Sequence, residues 1–434
     1  MKHDKSRAMF EQIAKCIPGG VNTSLRKLDP PLVFSKAEGA RIQDIDGNEY
    51  IDYHMGFGPV ILGHRDPDVE NAVDEVRGSL DLIGAGSTEI EGKLCDKISK
   101  NVPSAEKVLL CTSGSEATYH AVRLSRAITK RKRIIKFQGC YHGWHDYLAM
   151  NVMSSRQKLG VHDPLSAGML EEAMQYTTVL KFNSTQEVER CVAKNRGKVA
   201  CIILEPIAHN IGCVPASLEF LKSLREICDR EGIVLAFDEV ITCFRHALGG
   251  YQSICGVTPD LTTFGKAVAN GYPMAGICGR AEMMDRFNTA KGDVFFAGTF
   301  NAHPYSCAAA LATIRKLEGS QIYDRLYKFG KVVSEGIDSE ASKIGIETYT
   351  AHFGSVFITY FARPPMNSYD DVLRNDAQAF LSYRKAMIER GIFMLPYNGK
   401  RNYISAAHTD QDIERTVEKS GEALQLLSAS REPS

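Results

Sequence analysis

Three polar residues stand directly after apolar segments, where their side chains could do chemistry. Lys266 follows Leu261–Gly265, and loss of hydration there would favour the neutral amine, a nucleophile that forms imines. Asp238 and Glu205 each follow an apolar run, and a buried carboxylate is costly unless it is paired or reactive. A single lysine is more often a solvated surface charge, so the interpretation depends on what accompanies Lys266.

A run of small residues, Thr112–Ala117, lies between an apolar segment and a helical pattern. Backbone N–H groups and hydroxyls at the start of a helix bind phosphate, aided by the helix dipole. The pattern therefore predicts that Ser113, Gly114 and Ser115 hold a phosphate group. The alternative is ordinary helix capping, for which serine and threonine are common.

The next such loop, Gly139–Gly143, places Tyr141 and His142 between two glycines. An aromatic ring held in this way could stack on a planar cofactor. The alternative is a core tyrosine beside a capping histidine. A zinc site at His142 and His145 is disfavoured because no further ligands lie nearby in the sequence.

Taken in chain order, these loops supply every part of a site for pyridoxal 5'-phosphate (PLP). Asp238 is suited to keep a pyridine nitrogen protonated, which makes PLP an electron sink. Asn210 follows Glu205 closely and adds an amide to the acid. The set predicts PLP as the cofactor, attached to Lys266, with no metal.

The elements that must position these residues alternate between strands and helices. Apolar runs such as Val199–Leu204 and Ile233–Phe237 predict buried strands, and Ser115–Thr129 and Leu218–Arg230 predict amphipathic helices. Continuous apolar strands separated by helices predict an α/β fold with a mostly parallel sheet covered on both faces. Ligands of such sheets bind at the carboxyl ends of the strands.

The two ends of the chain follow other patterns. Ser6–Ile17 predicts a helix, and Arg41–Tyr53 predicts a hairpin around an Asp-Gly turn. Ser355–Phe361 alternates like a half-exposed strand, and Asp376–Arg390 has a helical pattern. We therefore expect a smaller α+β domain, with an N-terminal segment at 1–65 packing on it, a PLP-binding domain at 66–310 and the small domain at 311–434.

The amino-acid composition argues against nucleic acids and membranes as binding partners. The 434 residues carry 52 basic and 52 acidic side chains, and this balance gives no basic stripe for nucleic acid or a membrane surface. The first residues are charged and no long apolar run follows, so we expect no signal peptide, no spanning helix and a cytoplasmic location. Twelve scattered cysteines without a C-x-x-C pair predict reduced thiols.

With these motifs in view, the sequence resembles the class III (ornithine and ω-amino-acid) aminotransferases of PLP fold type I, most closely their glutamate-1-semialdehyde aminomutase branch. The resemblance extends from Pro18 to Thr409. It rests on six motifs in combination: Ser113–Ala117, Gly139–Gly143, Glu205–Pro206, Asp238–Arg245, Phe264–Lys266 and Ala297–Phe300.

The resemblance implies roles at the reacting end of the cofactor. Lys266 would bind PLP as a Schiff base and later carry a proton between the substrate's α-carbon and the cofactor. Asp238 would bond the pyridinium nitrogen, with Val240 on one ring face and Tyr141 on the other. Asn210 matches a residue placed to contact the cofactor's phenolic oxygen.

The resemblance also implies how the phosphate is held and how subunits assemble. Gly114 and Ser115 would bind the phosphate, and Ser113 and His142 belong to the same cofactor-binding set. Glu205 matches an acid that orients these residues without contacting the cofactor itself. Thr299 would reach the phosphate bound by a neighbouring subunit, which implies a homodimer with shared active sites.

Departures from the aminomutase pattern concern the substrate. Where that branch carries a carboxylate facing the substrate amino group, this chain has Lys400, with Arg401 beside it. A tryptophan common in the early glycine-rich segment is Phe57 here, and the Ser-Gly-Asn-Pro that usually follows the interface threonine is Asn301–Pro304. Arg26 is retained and could clamp a substrate carboxylate. Exposure of the 397–403 loop would make these cations merely solvated.

These cations favour a carboxylated substrate. We therefore predict an aminotransferase acting between an amino acid, including β- and D-amino acids, and a keto acid. The alternative is the aminomutase reaction itself. A dinucleotide oxidoreductase lacks its Gly-x-Gly-x-x-Gly turn here, and a non-catalytic regulatory protein would not need Lys266 and Asp238 together.

Overall fold

The chain divides into two compact units. In the computed structural model, which describes residues 1–288, 290–319 and 321–429, the smaller unit comprises Met1–Asp66, Asp324–Pro364 and the described residues from Asn375 onward. The larger unit comprises Pro67–Tyr323 and Pro365–Arg374. The domain division drawn from the sequence, at 65/66 and 310/311, stays a prediction.

The strands of the described residues form one large sheet and three small ones. In chain order they are β1 (Phe34–Glu38), β2 (Arg41–Asp44), β3 (Glu49–Asp52), β4 (Lys107–Cys111), β5 (Arg133–Phe137), β6 (Thr177–Leu180), β7 (Val199–Leu204), β8 (Ile207–Ala208), β9 (Val214–Pro215), β10 (Val234–Glu239), β11 (Leu261–Gly265), β12 (Ala275–Gly279), β13 (Tyr349–Phe353), β14 (Val356–Tyr360), β15 (Ile392–Phe393) and β16 (Asn402–Tyr403).

The helices lie mostly between these strands. They are α1 (Asp4–Cys16), α2 (Pro67–Arg77), α3 (Glu89–Asn101), α4 (Gly114–Thr129), α5 (Glu171–Met174), α6 (Thr185–Lys194), α7 (Leu218–Glu231), α8 (Gly250–Cys255), α9 (Ala281–Met284), α10 (Pro304–Glu318), α11 (Ile322–Lys343), α12 (Tyr369–Val372), α13 (Ala377–Ile388) and α14 (Asp410–Ala429).

A seven-stranded sheet forms the centre of the larger unit. Its order is β4-β12-β11-β10-β7-β5-β6, and only β12 runs against its neighbours. Strands β7 and β10 are buried along their whole length, as their continuous apolar sequences require. The mostly parallel α/β fold predicted from the sequence is confirmed.

Parallel pairing brings the ends of the central strands to one edge of this sheet. Strand β10 lies between β7 and β11, with Ala236 opposite Ile203 and Asp238 opposite Thr263. Parallel neighbours point their carboxyl ends in the same direction, so the loops that follow these strands share one edge.

The smaller unit has two sheets. The hairpin predicted at Arg41–Tyr53 is present, because β2 and β3 pair antiparallel with Arg41 opposite Ile51, and β15 extends that sheet. A second sheet has the order β13-β14-β16. The half-exposed strand predicted at Ser355–Phe361 is wrong on burial, because all five residues of β14 are buried. The prediction took polar residues as a sign of exposure, whereas the Thr359 hydroxyl is buried and accepts a hydrogen bond from Thr350.

All twelve cysteines are free, and most of them are buried, as the reduced-thiol prediction requires. Burial raises the pKa of the Cys201 thiol to about 12, so that sulfur stays protonated and packs as an apolar group. Among the helices described, none is long and apolar enough to cross a membrane.

The hairpin generates a stability prediction at Asp44. Its buried carboxylate accepts hydrogen bonds from the Asp46 N–H (3.0 Å), the Asn48 N–H (2.9 Å) and the Tyr50 hydroxyl (2.8 Å). Asp44→Ala leaves these donors unsatisfied, and we expect a loss of about 2–4 kcal/mol of unfolding free energy, measured by urea titration of cofactor-free protein. The control Glu49→Ala removes an exposed acid of β3 and should change stability by less than about 0.5 kcal/mol; equal losses would contradict the prediction.

Candidate active site

Lys266 begins the segment that follows β11. It is the first residue of a short 3₁₀ turn, Lys266–Ala269, and it is half-buried. Its φ of 44° lies in the left-handed region, which costs a non-glycine residue about 1–3 kcal/mol. Such strain persists only where surrounding structure imposes it and is frequent at functional sites. The predicted attachment residue thus stands at the sheet edge in a strained conformation.

Asp238 lies at the same edge, as the penultimate residue of strand β10, and is only 5% exposed. One carboxylate oxygen is 2.7 Å from Nδ1 of His142. The other accepts hydrogen bonds from the Thr263 hydroxyl (3.1 Å) and the Val240 N–H (3.2 Å). The His142 imidazole thus lies within ion-pair distance of this carboxylate, and these three contacts hold the acid in place.

His142 connects this acid to helix α4. Its backbone carbonyl accepts a hydrogen bond from Thr118, and Nε2 of its ring is buried without a hydrogen-bond partner among the described residues. Which nitrogen carries the proton is set by the contact with Asp238. A fixed imidazole beside the carboxylate orients Asp238, which is the role expected of a residue supporting a cofactor-binding acid.

Helix α4 starts with the predicted phosphate-binding residues. Ser113 is the N-cap, and its hydroxyl accepts from the Glu116 N–H, while the Glu116 carboxylate accepts from the Ser113 N–H. This capping box fixes the first turn, whose N–H groups point away from the helix and attract anions. A Cβ at Gly114 would lie 2.9 Å from Cγ1 of Val240, so glycine is needed for this close approach.

Glu205 joins two loops at the sheet edge. It follows β7, is buried, and accepts hydrogen bonds from the N–H groups of Tyr141 (2.8 Å), His209 (3.1 Å) and Asn210 (3.2 Å). Asn210 in turn donates to the Gly139 carbonyl at 3.0 Å. The Tyr141 side chain remains 37% exposed, so a ring-shaped ligand could stack on it.

The larger unit therefore holds the whole predicted cofactor set. Its members lie at the carboxyl end of β10 or in the segments that directly follow β4, β5, β7, β10 and β11: Ser113, Gly114, Ser115, Tyr141, His142, Glu205, Asn210, Asp238, Val240 and Lys266. Thr299 also belongs to this unit, in an exposed turn before α10. The buried acid, the helix start with its obligatory glycine and the exposed tyrosine fit the ring nitrogen, the phosphate and the ring face of PLP.

The predicted substrate residues all lie in the smaller unit. Arg26 is exposed at the end of a short 3₁₀ helix, and Phe57 is half-buried with φ 69°. Lys400 and Arg401 are 4% and 8% exposed, so the interpretation of this segment as a solvated loop is wrong. Burial, and further the charges of Arg401 and Arg26, lower the pKa of His54 to about 4, against the opposing effect of its neighbour Asp52. These two arginines therefore act on one histidine.

Sequence reasoning missed two residues of the larger unit. Thr263 donates to Asp238 from the neighbouring strand, a partnership set by strand register alone. Lys136 is fully buried in β5 and donates to the Cys140 carbonyl (3.0 Å) and to the Met150 carbonyl, which fixes the loop carrying Tyr141. Burial lowers the pKa of Lys136 to about 8. A lysine inside an apolar strand was the available signal.

A fold of this kind with this set of strand-end residues defines a PLP-dependent enzyme. Residues 23–351 match the family described as aminotransferase class-III, which is most of the chain, and the protein belongs to that family. PLP is its cofactor. When bound, PLP supplies an electron sink for negative charge developing beside the amino group.

The relatives are named for two reactions. The chain is 40% identical over 425 residues to the glutamate-1-semialdehyde 2,1-aminomutase of Chloroherpeton thalassium, covering 97% of this chain and 98% of that protein. It is 39% identical over 431 residues to that of Geotalea daltonii, covering 98% and 100%.

Among solved structures, an omega-transaminase from Sphaerobacter thermophilus has a TM-score of 0.91 at 33% identity, covering 97% of each chain. A beta-phenylalanine aminotransferase from Variovorax paradoxus has a TM-score of 0.89 at 27% identity, covering 98% of this chain and 94% of that one.

The first site prediction concerns Lys266. Lys266→Ala and Lys266→Gly should both lose activity by several orders of magnitude, because nucleophile and proton carrier are removed together. Borohydride should no longer add the cofactor's mass to the protein. Because of the left-handed φ, the glycine variant should be more stable than the alanine variant. We expect its unfolding free energy, from urea titration of cofactor-free protein, to be higher by about 1 kcal/mol. Residual turnover close to wild type would refute the assignment.

The second site prediction concerns Asp238. Asp238→Asn should lower turnover about a hundredfold or more while PLP occupancy, read from visible absorbance, falls far less, because an amide holds no ring proton by charge. The matched control Thr263→Val removes one hydrogen bond and leaves the carboxylate, so a few-fold effect is expected. Turnover of Asp238→Asn within a few-fold of wild type would mean that this acid is structural.

Proposed function

We propose that this protein catalyses the 2,1-aminomutase reaction, which converts glutamate-1-semialdehyde to 5-aminolevulinate. The observation that carries the proposal is identity of 39–40% to proteins of that name over nearly the full length of both chains. The match includes the smaller unit, which holds the predicted substrate residues, as well as the cofactor loops. It outweighs the preference for amino-acid transamination that Lys400 and Arg401, together with Arg26, suggested.

The residues of the chain divide the work of such a reaction. The amine of Lys266 would hold the cofactor and carry a proton at the substrate carbon that bears nitrogen. Asp238, fixed by His142 and Thr263, would keep the proton on the cofactor ring. Glutamate-1-semialdehyde carries a carboxylate, and Arg26 and Arg401 supply cations for it.

A second candidate is transamination between an amino acid, including β- and D-amino acids, and a keto acid. The observation in its favour is the burial of Lys400 and Arg401 where the aminomutase branch carries an acid. The solved structures named as an omega-transaminase and a beta-phenylalanine aminotransferase add support, at 33% and 27% identity. Both candidates share the cofactor, the lysine and a carboxylated substrate.

The proposal includes a homodimer with shared sites. Thr299 is exposed in the turn before α10, on the larger unit. An exposed threonine hydroxyl can donate a hydrogen bond to a phosphate held by another subunit. Sedimentation of the protein with and without PLP would check the assembly.

One experiment separates the two reactions. Purified PLP-loaded protein is given glutamate-1-semialdehyde with no other amino donor or keto acid, and 5-aminolevulinate is measured. Catalytic conversion supports the aminomutase, since the amino group stays on the same carbon skeleton. No conversion, together with turnover of an amino acid only when a keto acid is added, would replace it with the aminotransferase. The Lys266→Ala protein serves as the control.

The substrate residues generate a further prediction. Arg401→Ala should raise KM for the carboxylated substrate about ten- to a hundredfold, which corresponds to the roughly 1.5–3 kcal/mol of a charge-assisted hydrogen bond. An amine of the same length without the carboxylate should be affected little. Lys400→Ala is measured in parallel, because either cation could make the contact. Equal effects on both substrates would show that the segment is structural.

A further inference from the structure

Arg384 is a fully buried cation of the smaller unit that neither reaction has required so far. It lies in α13, is 0% exposed, and donates from Nη2 to the Lys400 carbonyl at 3.1 Å and from Nη1 to the side-chain oxygen of Asn402. In the part of the chain that the structure describes, no carboxylate lies within ion-pair distance of it. Its Nε and the amide nitrogen of Asn402 are buried and have no hydrogen-bond partners among the described residues.

This arginine stays charged although it is buried. Burial lowers its pKa to about 10, which still leaves the guanidinium protonated at neutral pH. The guanidinium carbon lies 4.7 Å from the centre of the Phe380 ring, and this cation–π contact offsets part of the cost. A buried charge without a counter-ion is nevertheless unfavourable, so an incoming anion would be stabilised here.

Arg384 holds the segment that carries the predicted substrate cations. It donates hydrogen bonds to the residues on both sides of Arg401, namely to the Lys400 carbonyl and to the Asn402 side chain. Strand β16, which starts at Asn402, pairs with β14 on the other side. The backbone of Arg401 is thereby fixed between a helix and a sheet.

The Arg26 segment meets the same loop. The Tyr397 hydroxyl donates to the Lys27 carbonyl at 2.9 Å, and the Lys400 N–H donates to the Tyr397 carbonyl at 3.1 Å. Burial lowers the pKa of His54 to about 4, and the charges of Arg401, Arg26 and Arg384 lower it further. Asp52, the acid that opposes them there, is already engaged by His64 at 2.8 Å.

We propose that Arg384 is a positioning residue that makes this part of the smaller unit select carboxylate substrates. It holds Lys400 and Arg401 in place through their backbone and adds a buried positive charge that a substrate carboxylate compensates. The inference rests on the proposed function for the substrate's amino group, and it assigns to Arg384 the selection of the carboxylate that both candidate reactions share.

The kinetic test compares Arg384→Met with wild type. The methionine keeps the buried volume and removes charge and clamp together. We expect KM for the carboxylated substrate to rise about tenfold or more, with KM for the matched amine lacking the carboxylate within about threefold. Arg384→Lys, which keeps the charge without the two-pronged grip, should fall between. Equal changes for the two substrates, or none for either, would overturn the proposal.

Two further variants guard against a merely structural effect. Arg390→Met removes a partly exposed arginine just beyond the same helix, paired with Glu422, and should leave the substrate preference unchanged. Asn402→Ala loosens the grip and retains the Arg384 charge. If Arg384→Met does not fold by circular dichroism, Asn402→Ala decides: a selective rise in KM for the carboxylated substrate supports the proposal, and unchanged selectivity overturns it.

A binding measurement separates this inference from the proposed function. Glutarate, a five-carbon dicarboxylate, is titrated against PLP-loaded wild type and Arg384→Met at constant ionic strength, and Tm is followed. Glutarate should raise Tm of the wild type and have much less effect on the variant. If neither reaction is catalysed while this difference persists, the proposed function fails and the anion site stands. Equal glutarate responses in an active enzyme would overturn the anion site alone.

Discussion

The parallel pairing of β10 with β7 and β11 is the constraint on which the rest of the site depends. It puts the segments that follow three strands at one edge of the sheet, so that Asp238, Glu205 and Lys266 are placed by backbone hydrogen bonds rather than by flexible loops. The register also gives Asp238 its partner Thr263. A slip of one residue would turn the acid to the opposite face of the sheet, because side chains alternate along a strand.

Around that frame, buried polar groups hold each other in fixed orientations. Glu205 accepts three backbone N–H groups from two loops, and the ring of His142 fixes the Asp238 carboxylate. Such networks are costly when half-satisfied and rigid when complete, which suits a site that must hold a planar cofactor without reorganising. The strained φ of Lys266 is consistent with this, since the backbone at that residue is determined by what surrounds it.

The smaller unit applies the opposite electrostatic arrangement. The larger unit presents a buried acid at Asp238, which His142 contacts, whereas Arg384 and Arg401 are buried cations without carboxylate partners among the described residues. Burial removes the screening that water gives to surface charges, so these few side chains weigh more than the balanced net charge of the chain. We therefore expect the choice of substrate, and with it the choice between the two reactions, to depend on a few positions within a family resemblance that covers nearly the whole chain.

The sequence by itself determined the fold class and the cofactor, and it predicted the order of the candidate cofactor-binding residues, because apolar periodicity and strand-end motifs are local. It predicted the hairpin at Arg41–Tyr53 and the buried strands, and it misjudged β14, whose polar residues are satisfied by neighbouring strands. Only the tertiary structure decided which residues distant in the sequence contact each other, such as Thr263 with Asp238 and Arg384 with the Lys400 segment. It also decided that Lys400 and Arg401 are buried, since burial depends on packing from distant elements, which residue type and spacing do not encode.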